Sequence, residues 1–191
     1  MFGGQFSAIL LVPRLIKKFA KKTVYNTINL CGALPFLSLF LLFLAAPTKM
    51  IQTPYLIFCA VVLFFGGASN GFSVVLQSIM VADAVDYEEY RSGIRPDGTF
   101  FSGLTFVSKM GTSIAALISG AAYSLVGFSG ERVAEVNAFI AAGGIPRLEP
   151  AYAPYMTVLF FLVTIPPAVG GLLAVLPTWR YALNDEEHTK M

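Results

Sequence analysis

The sequence predicts an all-α bundle of membrane-spanning helices, and three observations carry that prediction. Of 191 residues, 56% are hydrophobic and 13% charged, with a mean hydropathy of +0.71; soluble domains run at about 45–50% apolar and about 25% charged. The apolar residues fall into five long runs separated by short polar stretches. Each run approaches the roughly 20 residues that a helix needs to cross about 30 Å of hydrocarbon.

The spans lie near residues 1–16, 24–46, 54–82, 99–128 and 154–177, so that residues 1–177 form one bundle and 178–191 a polar tail. The first run lacks the charged leader and cleavage site of a signal peptide. It begins as though partway into a hydrophobic segment and ends at the basic turn PRLIKKFAKK. The third span holds GGASNGFSVVLQS, a polar, Gly-rich run in which Asn70, Val74 and Gln77 are candidates for lining a cavity; close helix packing accounts for it equally well. In the fourth span, spacings of small residues such as Gly111, Ala115 and Ser119 suit helix packing. Residues 129–153 read as an irregular Gly/Pro-containing loop with a short helix near Glu131–Phe139. In the fifth span, Pro166 and Pro167 predict a kink.

Sidedness follows from the basic residues, because loops rich in Lys and Arg stay cytoplasmic. Threading the chain alternately puts Arg14, Lys17, Lys18, Lys21, Lys22, Arg91, Arg95, Arg180 and Lys190 on one side. The other side receives Lys49, Arg132 and Arg147. The first side is therefore expected to be cytoplasmic, with the C-terminus there, in a cell membrane. A net charge of +2 offers no basic field for nucleic acid. Cys31 and Cys59 sit within apolar runs and His188 stands alone, so neither a thiolate metal site nor histidine-based catalysis is expected.

Two features carry chemistry. Lys109 lies about ten residues into the fourth span, roughly 15 Å deep at about 1.5 Å per residue. A charge near the bilayer centre costs at least ~2.5–3.5 kcal/mol, so it should face a polar cavity or a carboxylate. Thr105, one helical turn earlier, projects from the same face. The second feature is MVADAVDYEEYRSGIRPDG, residues 80–98, which carries Asp83, Asp86, Glu88, Glu89, Arg91, Arg95 and Asp97 between two spans. Asp83, Asp86 and Glu89 share a helical face, but no histidine or thiolate joins them, which argues against a metal. A salt-bridge cluster at the cytoplasmic mouth fits better, and its excess of acid calls for partners beyond itself, which the basic turn Arg14–Lys22 or a domain outside this chain could supply.

The stretch QSIMVADAVDYEEYRSGIRPDGTFFSGLTFVSKMG resembles the helix-loop-helix segment of the glycoside–pentoside–hexuronide:cation symporters of the major facilitator superfamily. The matching pattern is Met-x-Ala-Asp-x-x-Asp-Tyr, then an Arg, then Lys-x-Gly in the next helix. PRLIKKFAKK and WRYALNDEEH match as well, so the resemblance extends over essentially the whole chain. It implies the last five of twelve helices, a C-terminal portion whose N-terminal domain is absent. It implies further that Asp83, Asp86 and Arg95 connect two domains at the cytoplasmic side, and that Lys109 and Thr105 bind substrate. Val74 and Leu104 stand where the family's melibiose carriers have a pocket tryptophan and a glutamine. Those two departures argue against melibiose itself while leaving other glycosides, pentosides and uronides open.

The expectation is a sugar:cation symporter working by alternating access, not an enzyme, with a small sugar or glycoside and Na⁺ or H⁺ as partners. It needs no cofactor, and the cation would be bound mainly by the missing domain. A membrane-embedded enzyme acting on lipid-linked sugars is one alternative, and it would have to use Asp83, Asp86 and Glu89. A non-transporting fragment or interaction subunit is the other.

Overall fold

A computed structural model describes residues 1–49 and 52–178. Within them the chain forms α1 (Phe2–Ile16), α2 (Lys21–Ala45), α3 (Thr53–Ser92), α4 (Asp97–Leu125), α5 (Gly130–Ala141), α6 (Ala153–Leu173) and α7 (Val175–Thr178). The long apolar runs become helices because lipid offers no partner for backbone N–H and C=O groups, which a helix satisfies internally. Among the described residues four segments are long and apolar enough to cross a membrane: α2, α3, α4 and the Ala153–Thr178 run of α6 and α7. The first expected span is shorter: α1 has 15 residues, or about 22 Å. The expected polar tail lies almost wholly outside the described residues.

At 40 residues α3 is the longest element, about 60 Å long against roughly 30 Å of hydrocarbon. It therefore carries its charged end well beyond the apolar layer. The acidic stretch remains helical through Ser92 and stops at Gly93, whose φ of 70° is open to glycine without the steric cost a side chain would meet. Only residues 93–96 link it to α4. The short helix expected near Glu131–Phe139 is α5, and the Ser129 hydroxyl accepts a hydrogen bond from the Arg132 amide at its start. Pro166 and Pro167 lie inside α6, which continues past both to Leu173.

Helices α1 and α2 pack against α3, and α6 packs against α2. One apolar cluster joins Val12, Val24 and Leu76 from the first three helices, and a second joins Ala33 and Phe36 to Ala168. The Phe43 and Phe160 rings stack at 4.1 Å, closing the far end of the α2–α6 seam. Helix α4 differs from all of these. It touches α3 and α6 only lightly and has no buried residue.

The α1–α3 seam is close because its contact positions lack side chains. A Cβ on Gly71 would stand 2.8 Å from both the Cα and the carbonyl oxygen of Gln5, and backbone cannot move aside as a side-chain tip can. Gly111 on α4 has nothing within 4 Å of the same position. Gly71→Leu is thus expected to lower the stability of the 191-residue chain by about 1–3 kcal/mol, read by unfolding in detergent micelles. Gly111→Leu should leave it unchanged or slightly higher, and equal losses at both sites would refute the close seam.

Candidate functional site

Polar side chains inside an apolar bundle gather at two levels. The deeper level is a cavity of about 380 Å³ between α2, α3 and α6, within the roughly 300–1,000 Å³ usual for small-molecule sites. Asn70, Val74 and Gln77, the three α3 residues expected to line a cavity, all do so, joined by Tyr25, Asn29 and Ser73. A neighbouring cavity of about 520 Å³ shares Tyr25 and Gln77 and follows α3 past Met80 to Ala84, towards the charged end.

The cavity wall is held by hydrogen bonds between helices. The Asn29 amide donates to the Tyr25 carbonyl at 2.9 Å and accepts from the Ser73 hydroxyl at 3.0 Å, tying α2 to α3. Ser69 donates to the Ile28 carbonyl at 2.9 Å, and Gln5 to the Asn70 side chain at 3.1 Å. Such bonds satisfy groups that lipid would leave bare, and the cavity keeps amide and hydroxyl groups along one wall. Asn29 and Ser73 were not singled out as site residues from the sequence. An amide within an otherwise apolar span is the signal that marks Asn29, since such residues turn inward to protein or water.

Leu104, Thr105 and Lys109 are placed elsewhere. None lines either cavity. Lys109 stands near the middle of the 29-residue α4 and is exposed along with Thr105, while Leu104 is half-buried. The Thr105 hydroxyl donates to the Phe101 carbonyl at 2.8 Å, and Thr112 and Ser113 donate to the Lys109 carbonyl at 2.9 Å. Back-bonding of this kind is the ordinary way a membrane helix satisfies its hydroxyls, and it leaves their oxygens able to accept.

The second level is the charged end. Lys21, at the start of α2, reaches both carboxylate oxygens of Asp83 at 2.9 and 2.7 Å, with the Asp83 side chain only 11% exposed. The expected contribution of the basic turn is thereby realised in Lys21. Arg95 pairs with Asp86 and Asp97 at 2.9 Å and with Glu89 at 2.5 Å, joining the end of α3 to the start of α4. Its hydrogen bond to Glu89, then the nearby Asp97, and the bond to Asp86 hold the guanidinium well above its ordinary range, so it stays charged at any working pH. Asp83, Asp86 and Arg95 are therefore all engaged within this chain, Asp83 across α2–α3 and the others across α3–α4. Among the described residues no group of three or more His, Cys, Asp or Glu is placed to hold a metal ion.

Residues 1–185 match the family described as MFS/sugar transport protein. An uncharacterised symporter of Bacillus subtilis is 25% identical over all of this chain and 36% of its own length. A protein of Escherichia coli provisionally named a sulfoquinovose importer is 30% identical over 93% of the chain and 32% of its own length. An isoprimeverose transporter of Lactiplantibacillus pentosus is 27% identical over 63% of the chain and 24% of its own length. The chain thus spans about a quarter to a third of these curated relatives. No solved structure matches.

The Lys21–Asp83 pair is buried enough to matter, since such a pair costs much when one partner is removed. A double-mutant cycle with Lys21→Met and Asp83→Asn should give a coupling of about 0.5–3 kcal/mol, measured by unfolding in detergent. Single losses that simply add would show that the contact contributes nothing.

Proposed function

The chain belongs to the MFS/sugar transport protein family, and we propose that it forms part of a secondary transporter moving a sugar or glycoside with a cation by alternating access. The observation that carries this reading is α4, a membrane-length helix with a lysine near its middle and no buried residue. A lysine at that depth cannot face hydrocarbon cheaply, so its surroundings in the assembled transporter must be polar. A hydrophilic path through the membrane meets that need. The amide- and hydroxyl-lined wall at Asn29, Asn70, Ser73 and Gln77 has the donors and acceptors that a sugar's hydroxyls require.

In this reading Lys109 donates to a substrate oxygen or pairs with a carboxylate of a facing helix, and Thr105 accepts from a sugar hydroxyl one turn away. The coupled cation, Na⁺ or H⁺, is bound chiefly by helices outside these 191 residues. Asp83, Asp86 and Arg95 act at the cytoplasmic mouth. Their ion pairs hold one arrangement and exchange partners when the transporter rocks to the other. The charged end is assigned to the cytoplasm, in a cell membrane, because Arg14, Lys17, Lys18, Lys21, Lys22, Arg91 and Arg95 cluster there. Lys49, Arg132 and Arg147 lie at the other end.

An enzyme acting on lipid-linked sugars is not favoured. The carboxylates it would use are bonded to Lys21 and Arg95, and the named relatives are symporters and transporters.

Cation-driven sugar uptake by the assembled transporter tests the reading. Lys109→Ala should reduce accumulation on the order of tenfold or more, as expected for losing a charge-assisted hydrogen bond, with protein abundance in the membrane unchanged. Normal accumulation would remove Lys109 from the pocket. Asp83→Asn should change transport turnover more than abundance, and unchanged turnover would count against a gate.

A further inference from the structure

The end of the bundle opposite the ion pairs holds a feature that sugar transport does not use. A cavity of about 500 Å³ lies where the C-terminal end of α2, the first turns of α3 and α6, and the loop after α5 converge. Phe43, Leu56, Leu63, Ile145 and Phe160 make its wall apolar, and Arg147 is the one charged side chain among its lining residues.

Arg147 differs from Arg132 and Arg95 in its partners. Arg132 bonds Glu135 at 2.8 Å, and Arg95 pairs with three carboxylates. Arg147 instead lies with its guanidinium carbon 5.2 Å from the centre of the Phe43 ring, and its Nε is buried with no hydrogen-bond partner. A buried guanidinium N–H without an acceptor costs about 1–3 kcal/mol or more. The cation–π contact compensates the charge in part but supplies no acceptor. The site therefore lacks an anionic oxygen, and its remaining volume is apolar.

That pairing of chemistries selects the occupant. A free anion would satisfy the guanidinium and leave the apolar wall to water, whereas a neutral lipid tail would fill the groove and leave Nε bare. The cavity sits at the last turns of α2 and the first turns of α3 and α6, and the ends of membrane-length helices lie where headgroups meet hydrocarbon. We propose that it is a phospholipid site, with an acyl chain along the Phe43, Leu56, Leu63 and Phe160 wall and the headgroup phosphodiester bonded to Arg147. An Arg–phosphate bond is charge-assisted and directional, and with a turn of the side chain that exposes Nε it gives that nitrogen the acceptor it lacks. The lipid would wedge the loop after α5 against α2 and α3 and so brace this end of the bundle.

Native mass spectrometry of the full chain in detergent, titrated with phosphatidylglycerol, tests the site. The wild-type protein should retain one lipid at a detergent excess that strips the rest. Arg147→Gln should weaken that retention roughly tenfold, the scale of one hydrogen bond to a charged group. Leu56→Trp, which fills the groove and keeps the charge, should weaken it similarly, so the site stays testable if one variant fails to fold. Arg132→Gln should retain lipid as wild type does. Wild-type retention by Arg147→Gln would overturn the proposal. So would equal retention of diacylglycerol, which lacks the phosphate, or displacement of the lipid by millimolar inorganic phosphate.

Discussion

Everything in this bundle answers to one constraint: inside hydrocarbon, a polar group must find its partner within the protein. An unbonded amide or hydroxyl there costs several kcal/mol, more than most single contacts supply. The hydroxyls of Thr105, Ser108, Thr112 and Ser113 accordingly fold back on their own helix. That of Ser69 reaches across to α2 instead, and that of Ser73 shares itself between Asn29 of α2 and the Ser69 carbonyl of its own helix. The difference marks which faces are packed. Back-bonded hydroxyls cover the exposed α4, and cross-bonded ones weld α2 to α3, where Gly32 already brings the two helices close.

The same constraint makes the two ends of the bundle unlike. At the charged end the carboxylates of α3 meet Lys21 and Arg95, so each helix connection there is also an ionic one. Exposed pairs of this kind contribute little to stability, because water screens them; the half-sheltered Lys21–Asp83 pair contributes more. Cheap exposed contacts around Arg95 would suit the exchange of partners proposed for that junction, and a dearer one at Asp83 suits the seam between α2 and α3. At the other end, packing is aromatic, with Phe43 stacked on Phe160 and Arg147 laid against the same ring.

Much of this was legible in the chain, for reasons that separate cleanly. The spans are readable because hydrophobic length needs no knowledge of neighbours, and α5 because its serine cap and first-turn glutamate are local signals. The α3 cavity residues were readable as a polar run in an apolar helix. What resisted were facts about register between helices. The basic turn was an evident source of partners for the acids, yet that Lys21 in particular meets Asp83, 62 residues away, depends on how α2 and α3 are staggered. Asn29 could be read as an inward-facing amide from its apolar neighbours, but its pairing with Ser73 depends on how α2 and α3 are staggered.

Helix α4 shows most sharply how structure and proposed role depend on each other. It is fastened at both ends and open between them. Arg95 clamps Asp97 at its start, and Tyr123 near its end joins a row of rings through Phe128 to Tyr155 of α6, at 5.5 and 5.7 Å. Between those anchors Thr105 and Lys109 are exposed and line neither cavity. A strut pinned at its ends can tilt or bow at its middle without breaking either anchor. Lys109 sits where that displacement is largest, roughly three to four turns from each end. A ligand touching both Lys109 and the α3 wall would therefore draw the middle of α4 inward, and that motion would load the exposed, replaceable cluster around Arg95 at its start. On the proposed reading, substrate binding and the charged mouth are then coupled through one helix.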